Sequence, residues 1–352
     1  MSTAATPTAV AVPDTRLPKW TTWAILIASF ALGALITVIS GGFAWIGTLL
    51  IGLIVFLAAT YVVARLVEGP RWAADRLASA LVTTAFVIVM IPLVSLILNV
   101  VLDGMHRFDW NFLSTDMAGI FGSMAEGGGL HAIVGTLIVT FAASVISIPI
   151  GIFTAIYLVE YRGGRISKII TFLVDVMTGI PSIVAGLFAY SLFLLVAGPQ
   201  YRSSIIGAVA LSLLMTPVVI RGTEEMLKLV PNELREASYA LGVPKWLTIV
   251  KVVLRTAIAG ITTSVMIAVA RVIGETAPLL LTIGIVPTLN WNAFDGQMTT
   301  LPVFVYRQYQ QGGAENIDRA WAGALTLILI VMILNLFARL ISHFFSPKGL
   351  SR

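Results

Sequence analysis

The stretch from Leu77 to Leu102 reads LASALVTTAFVIVMIPLVSLILNVVL and contains no charged residue. An uncharged apolar run of at least about 18 residues is long enough to cross the hydrocarbon core of a bilayer as a helix. This one stretch therefore predicts a transmembrane helix, and it raises the question of how many similar runs the chain contains.

Seven further apolar runs of about spanning length lie on either side of this stretch. The whole chain has 352 residues, of which 58% are hydrophobic and only 11% are charged. Such a composition does not allow a polar surface to cover the protein in water. We therefore predict an all-α, polytopic membrane protein with eight spans, the other seven lying near residues 23–40, 43–64, 131–159, 169–196, 204–220, 257–286 and 321–342.

The basic residues are distributed unevenly between the two sides of these spans. With the N-terminus in the cytoplasm, seventeen of the 22 Lys and Arg residues fall on the cytoplasmic side, four fall outside, and Arg271 lies within a span. Cytoplasmic loops of membrane proteins collect Lys and Arg. The pattern predicts that both termini are cytoplasmic. Because topology accounts for the basic residues, the net charge of +5 indicates no partner; we expect membrane lipid around the chain and no nucleic acid.

The segments outside the spans differ in composition and length. Residues 1–21 are rich in Ala, Thr and Pro and lack the order of a signal peptide, so a disordered cytoplasmic tail is expected there. A short C-terminal tail is expected over residues 346–352. The long outer segments 103–130 and 287–318 are expected to be loops, which either receive a partner or simply cover the surface.

The cytoplasmic stretch 222–255 has a different pattern. Pro231 suits the first turn of a helix that is too short and too polar to cross a membrane, and Gly242 followed by Pro244 ends it. Leu234, Ala237, Ser238 and Leu241 share one predicted face, with Glu233, Arg235 and Glu236 opposite. Pro244 then opens a second short helix through Val250. A helix, a glycine turn and a helix form a surface suited to docking a partner.

This docking stretch resembles a known motif. Its signature consists of Glu236, Ala237, Ser238 and Gly242, which resemble the cytoplasmic EAA loop of ATP-binding-cassette importer permeases. In that family the loop contacts the ATPase subunit. The family's Leu-Pro pair after the loop is replaced here by Leu254-Arg255.

Three further segments resemble the PstA-type permeases of bacterial phosphate importers. They are GIPSIVAG at 179–186, RGTEEMLKLVP at 221–231 and ARVIGETAPLL at 270–280. The resemblance runs from about Leu77 to the C-terminus. It implies a six-helix permease domain over residues 77–345, preceded by two additional transmembrane helices over residues 22–76.

The resemblance also implies a function and a set of partners. The chain is expected to be a non-catalytic subunit, in the bacterial inner membrane, of an importer of inorganic phosphate that works by alternating access. The implied partners are a homologous PstC-like permease, a dimer of PstB-like ATPases and an extracytoplasmic PstS-like phosphate-binding protein. No cofactor is expected in this chain, since the partner ATPase uses ATP and Mg²⁺. A permease for another oxyanion, such as phosphonate, remains the alternative.

Charged residues within the predicted spans are candidates for the substrate pathway. A charge inside the membrane costs free energy, so such residues are usually present because they have a function. Arg271 and Glu275 are one helical turn apart, so we expect their side chains to meet on one face. Arginine suits phosphate oxygens, and the glutamate would moderate its attraction. Arg221 and Asp175 are further candidates. For each residue a structural ion pair or a cytoplasmic anchor is the competing interpretation.

Glycines and prolines in two spans predict bending and close packing. Gly179, Pro181 and Gly186 interrupt the predicted fifth span, and Gly274 and Pro278 interrupt the seventh. Such residues kink a transmembrane helix or allow neighbouring backbones to approach. Simple packing is the alternative to a hinge at all five positions.

Motifs for catalysis are missing from the sequence. None of the six lysines follows a glycine, so there is no P-loop, and neither an HExxH zinc pair nor a GxSxG elbow occurs. There is no cysteine, and we predict no metal site. An intramembrane enzyme is therefore the less favoured class of function.

Overall fold

The structure is a computed structural model that describes most of the chain. The described residues are 16–18, 20–40, 42, 44–121, 124–161, 163–198 and 201–345, with side chains described as far as residue 340. The predicted tails over residues 1–21 and 346–352 lie wholly or mostly outside this part of the chain.

The described residues form helices and connecting segments, without a strand among them, as predicted. Fourteen helices follow one another in this part of the chain. They are α1 Trp20–Ile39, α2 Trp45–Val67, α3 Pro70–Gly104, α4 Trp110–Ser114, α5 Leu130–Glu160, α6 Arg165–Thr178, α7 Ser182–Ala197, α8 Ser204–Lys228, α9 Asn232–Ala240, α10 Lys245–Thr248, α11 Leu254–Ile273, α12 Ala277–Thr282, α13 Leu301–Gln311 and α14 Ala314–Phe345.

Seven stretches among the described residues are long and apolar enough to cross a membrane, and a bent pair supplies an eighth if it counts as one span. The prediction of eight spans agrees with the second count. The spans are α1, α2, α3, α5, α8, the continuous stretch Lys245–Ile273, and α14, with α6 and α7 forming the bent pair.

The predicted fifth span is broken rather than kinked. The chain bends by 109° between helices α6 and α7, at the residues Gly179 to Pro181. Pro181 has no N–H to continue the helix and restricts the residue before it. Farther along α7, a Cβ on Gly186 would lie 2.7 Å from the Cα of Pro278. The absence of that carbon lets α7 pack directly on α12.

The predicted seventh span, 257–286, is wrong at both ends. Helix α11 stops at Ile273, and the backbone N–H of Glu275 turns back to donate to the carbonyl of Val272 at 3.1 Å. At the other end, α10 passes through a π-helical turn, Ile249–Val253, into α11 without a break. No glycine or proline interrupts the chain between Pro244 and Gly260. The predicted second short helix is therefore the beginning of a long span.

The two outer segments contain helices, so the expectation of loops was wrong. Segment 287–318 includes α13, whose Leu301 and Phe304 are buried against Phe112. The backbone N–H of Leu301 donates to Thr136 Oγ1 of α5 at 2.7 Å. The outer segments are therefore part of the protein core.

The chain divides into two compact units, residues 1–97 and 98–352. In the first unit, α1 and α2 pack closely because a Cβ on Gly33 would lie 2.8 Å from the carbonyl oxygen of Thr48. The Glu68 carboxylate, almost fully buried after α2, accepts hydrogen bonds from Arg76 and from the backbone N–H of Leu17. The hydrogen bond from Arg76 holds the pKa of Glu68 below its usual range.

Gly135 on α5 provides a test of the packing in the second unit. A Cβ there would lie 2.1 Å from the carbonyl oxygen of Thr299, which is closer than atoms can approach. We expect Gly135→Ala to cost about 1–3 kcal/mol, the usual effect of overpacking. The measurement is the midpoint of thermal unfolding in detergent. Gly274→Ala is the control, because the nearest atom to its Cβ would be 3.9 Å away; equal midpoints for the two variants would contradict the packing.

Candidate functional site

A cavity of about 700 Å³ lies between the end of α6 and the facing sides of α8 and α11. The approach of the two long helices depends on small residues, since a Cβ on Gly222 would lie 2.7 Å from the Cβ of Ser264. The walls are mainly apolar. The polar and charged side chains among the lining residues are Thr178, Arg221, Glu225, Thr263 and Ser264.

Arg221 is the centre of a network of charges at one end of this cavity. Its Nη2 donates to Asp175 Oδ1 of α6, and its Nη1 donates to Glu224 Oε2 at 2.9 Å. Glu224 Oε1 accepts from Lys228 Nζ at 2.7 Å. The structure therefore brings together Arg221 and Asp175, which the sequence analysis predicted as two further candidates for the pathway. The contributions of Glu224 and Lys228 were missed, although their spacing of three and four residues on one helix indicates such pairs.

Arg271 lies on the same face of α11 as the cavity. Ser264, Ile267 and Arg271 follow one another at helical spacing, and the first two line the cavity. The Arg271 side chain is exposed and forms no hydrogen bond or ion pair with any side chain that the structure describes. It extends the polar stripe of α11 beyond the cavity.

The predicted pairing of Arg271 with Glu275 is absent from the described structure. The prediction assumed one continuous helix, but α11 ends at Ile273 and Gly274 begins the turn into α12. Residues four apart share a face only while the helix continues. Glu275 therefore lies off the face that carries Arg271.

The short helix α9 lies at the end of the molecule where α5 and α8 finish. Its Arg235 donates to Glu160 Oε1 at 2.9 Å and to the carbonyl oxygens of Leu227 and Val230. The sequence placed Arg235 on the exposed face opposite the apolar residues, and this was wrong. The side chain is held inward because a nearly buried carboxylate and two carbonyl oxygens at the junction of α8 and α9 accept its hydrogen bonds.

The motif residues of α9 divide into two groups. Glu236 and Ala237 are exposed, whereas Ser238 is buried and its Oγ lies 2.8 Å from Thr248 Oγ1 of α10. Gly242 has a φ of +75°, a left-handed conformation that favours glycine at the turn between the helices. Ser238 and Gly242 therefore fix the shape of the docking surface, and the exposed residues form it.

Large apolar side chains are exposed beside these residues. Leu241 is 83% exposed and Trp246 is 62% exposed, on either side of the Gly242 turn. At a loop between helices, such side chains indicate a surface that a partner covers. We call these two residues, together with the exposed Leu234, Glu236 and Ala237, the docking surface.

Arg319 was counted only as a topological charge, yet it is the largest fully buried side chain among the described residues. It donates to the carbonyl oxygens of Met124 and Glu126 at 2.7 and 2.8 Å, and to Asn316 Oδ1 at 2.5 Å. Arg107 donates to the carbonyl oxygens of Ala125 and Gly127. The two arginines hold the end of the outer segment before α5. No sequence pattern distinguishes such an arginine from one in a loop.

Comparison with known proteins identifies relatives of this chain. Residues 147–349 match the family model described as binding-protein-dependent transport system inner membrane component. The phosphate transport system permease protein PstA 1 of Mycobacterium tuberculosis (strain CDC 1551 / Oshkosh) is 46% identical over 261 residues, which cover 73% of this chain and 85% of the relative. The PstA of Mycobacterium leprae (strain TN) is 43% identical over 279 residues, covering 78% and 91%.

A solved structure is similar in fold to this chain. It is described as a bacterial ABC transporter involved in the import of the acidic polysaccharide alginate, and it aligns with a TM-score of 0.54 at 15% identity. The alignment covers 78% of this chain and 97% of that one. At this identity the likeness concerns the fold alone.

Removing the Glu160 charge tests how α9 is held. A hydrogen bond to a charged group contributes about 1.5–3 kcal/mol, so in Glu160→Gln we expect amide exchange in Asn232–Ala240 to rise roughly tenfold or more. Hydrogen–deuterium exchange with mass spectrometry measures it. Glu225→Gln, which removes an exposed carboxylate without a partner among the described residues, is the control. Unchanged exchange in α9 would show that the Arg235 contact does not hold the helix.

Proposed function

The chain belongs to the binding-protein-dependent transport system inner membrane component family, as a PstA-type permease, and we propose that it is the membrane subunit through which an ATP-driven importer passes inorganic phosphate. The observation that carries this proposal is the identity of 46% over most of the chain to a relative named as a phosphate transport permease. The cavity beside Arg221 and the exposed Arg271 also support it, because arginine side chains suit phosphate oxygens.

Energy for transport has to come from a separate ATPase. The docking surface supports this step, because exposed apolar residues surround a glycine turn and Ser238 keeps the two helices in fixed geometry. We propose that two copies of a PstB-like ATPase use ATP and Mg²⁺, and that one of them contacts Glu236, Ala237, Leu241 and Trp246. A homologous PstC-like permease completes the membrane part, and an extracytoplasmic PstS-like protein delivers phosphate.

We also propose which side of the molecule faces the cytoplasm. An ATPase operates in the cytoplasm, so α9 and the Arg221 end of the cavity face the cytoplasm. The excess of Lys and Arg predicted for that side supports this orientation, in which we propose that both termini are cytoplasmic. Arg271, at the opposite end of its helix, then lies nearer the outer side.

Phosphate would meet Arg271 first on its way through the membrane. A guanidinium offers paired N–H donors to phosphate oxygens and stays charged in an apolar environment. Arg271 has no described carboxylate partner, so its charge is available to an anion. Arg221 and Asp175 follow at the inner end of the cavity.

Alternating access needs elements that move as units. The break at Gly179 and Pro181 separates α6 from α7, and Gly274 separates α11 from α12. Contact between Gly186 and Pro278 joins α7 to α12 on the far side of both breaks. We propose that these two short helices move together as the pathway changes sides.

Another oxyanion is the remaining alternative substrate. Phosphonate presents the same type of oxygens to an arginine, so the cavity chemistry alone accommodates both. Competition by phosphonate against phosphate for the delivering protein distinguishes them. An intramembrane enzyme is not favoured, because the relatives are named as transport permeases.

Replacing Arg271 tests the phosphate pathway. In the reconstituted four-component complex, we expect Arg271→Ala to lower phosphate-stimulated ATPase activity and phosphate uptake at least tenfold, since the exposed cation on the route is lost. Arg339→Ala on α14 is the control, because it removes an exposed arginine that does not line the cavity. Normal uptake by an assembled Arg271→Ala complex would remove the residue from the pathway.

Leu241 tests the docking surface. We expect Leu241→Ser to weaken retention of the ATPase on the purified permease at least tenfold, which corresponds to the loss of one buried apolar contact at an interface. Leu195→Ser is a matched control, because Leu195 is 85% exposed and lies at the end of α7, away from the surface. Equal ATPase binding by both variants would show that the docking surface is elsewhere.

A further inference from the structure

The arrangement of charges around Arg221 points to a role for Asp175. We propose that Asp175 is a release residue: its carboxylate competes with phosphate for Arg221 and returns to the guanidinium as phosphate leaves the cavity. This inference deepens the proposed function and rests on it. Such a role requires that one of the two carboxylates at Arg221 can be exchanged for an anion.

The two carboxylates that contact Arg221 are held differently. Glu224 is on the same helix, its side chain is 11% exposed, and its second oxygen accepts from Lys228. Asp175 is on α6, its side chain is 61% exposed, and Arg221 is its single ion-pair partner among the described residues. Glu224 is therefore a fixed partner, and Asp175 is the partner that solvent or an anion can replace.

The geometry of the guanidinium makes the competition direct. Nη1 is used by Glu224 and Nη2 by Asp175, while Nε has no partner in the described part of the chain. A phosphate that binds in a bidentate manner along the open edge needs both Nε and Nη2. Such binding competes with Asp175 for Nη2 and leaves Glu224 on Nη1 in place.

The sign of the surrounding charge favours departure of the anion. Arg221 and Lys228 stand with Asp175, Glu224 and the exposed Glu225, so these five charges beside the cavity sum to one negative unit. Once Asp175 returns to Arg221, both cations of this group are paired with carboxylates. Like charges placed together disfavour binding of a further anion.

The other arginine on the route lacks this arrangement. Ser264, which packs against Gly222 beside Arg221, precedes Arg271 by seven residues, or about 10 Å along α11. No described carboxylate pairs with Arg271. The two arginines therefore differ in availability. Arg271 is open to an anion, whereas Arg221 is already paired with the Asp175 carboxylate, which takes the place of phosphate.

Inhibition by phosphate on the release side tests this role. The experiment measures uptake of radiolabelled inorganic phosphate by the complete complex into vesicles that already contain unlabelled phosphate. In Asp175→Asn we expect half-inhibition at an internal phosphate concentration three- to tenfold lower than for the wild type, together with a lower maximal rate. Asp175→Glu keeps the charge and should restore the wild-type value. Asp295→Asn, on an exposed outer segment, should not change it.

Each result has a defined meaning. A loss of rate without a change in the inhibitory concentration would show that Asp175 only supports the structure, and the proposal would be overturned. If Asp175→Asn and a second neutral variant, Asp175→Ser, both fail to assemble while Asp175→Glu assembles, the carboxylate is likewise structural. A wild-type complex that ignores phosphate would overturn the phosphate assignment itself and, with it, this proposal.

Discussion

Close packing around α8 is the constraint on which the rest of the second unit depends. Lipid tails are as apolar as leucine, so helices in a bilayer associate through close contact rather than through the exclusion of water. Among the candidate spans α8 buries the largest share of its apolar stretch. Missing Cβ atoms at Gly151, Gly207 and Gly222 allow α5, α12 and α11 to approach it. The cavity lies where this packing ends, beside Arg221.

Charges are placed where packing leaves room for them. Near the C-terminal end of α8, Arg221, Glu224 and Lys228 form ion pairs with one another, and Arg221 also contacts Asp175 of α6. At the other end of the molecule, Arg319 is enclosed by carbonyl oxygens, which lowers the cost of burying its charge. Arg271 is different because it has neither kind of partner among the described side chains. Packing alone therefore does not explain its presence.

Sequence patterns gave the class of fold and most of the helices, because span length and the cost of charge in lipid act locally. The break at Gly179 to Pro181 was visible as a glycine and a proline, but its angle depends on how α7 packs against Pro278. Asp175 and Arg221 are 46 residues apart, so their contact required the tertiary structure. Helix α13 was missed because turn-forming residues precede it and its apolar residues were too few for a span.

The long helix from Lys245 to Ile273 connects the docking surface to the turn that carries Arg271. It begins at the docking surface with Trp246, passes the cavity at Ser264, and carries Arg271 in its last turn. Its 29 residues extend about 43 Å, so a small tilt at one end displaces the other by several ångströms. The π-helical turn at Ile249–Val253 lies next to the docking end, and such turns are frequent at functional sites in helices. No break in this helix would absorb a displacement between Trp246 and Arg271, so a movement at the docking surface is transmitted to Arg271.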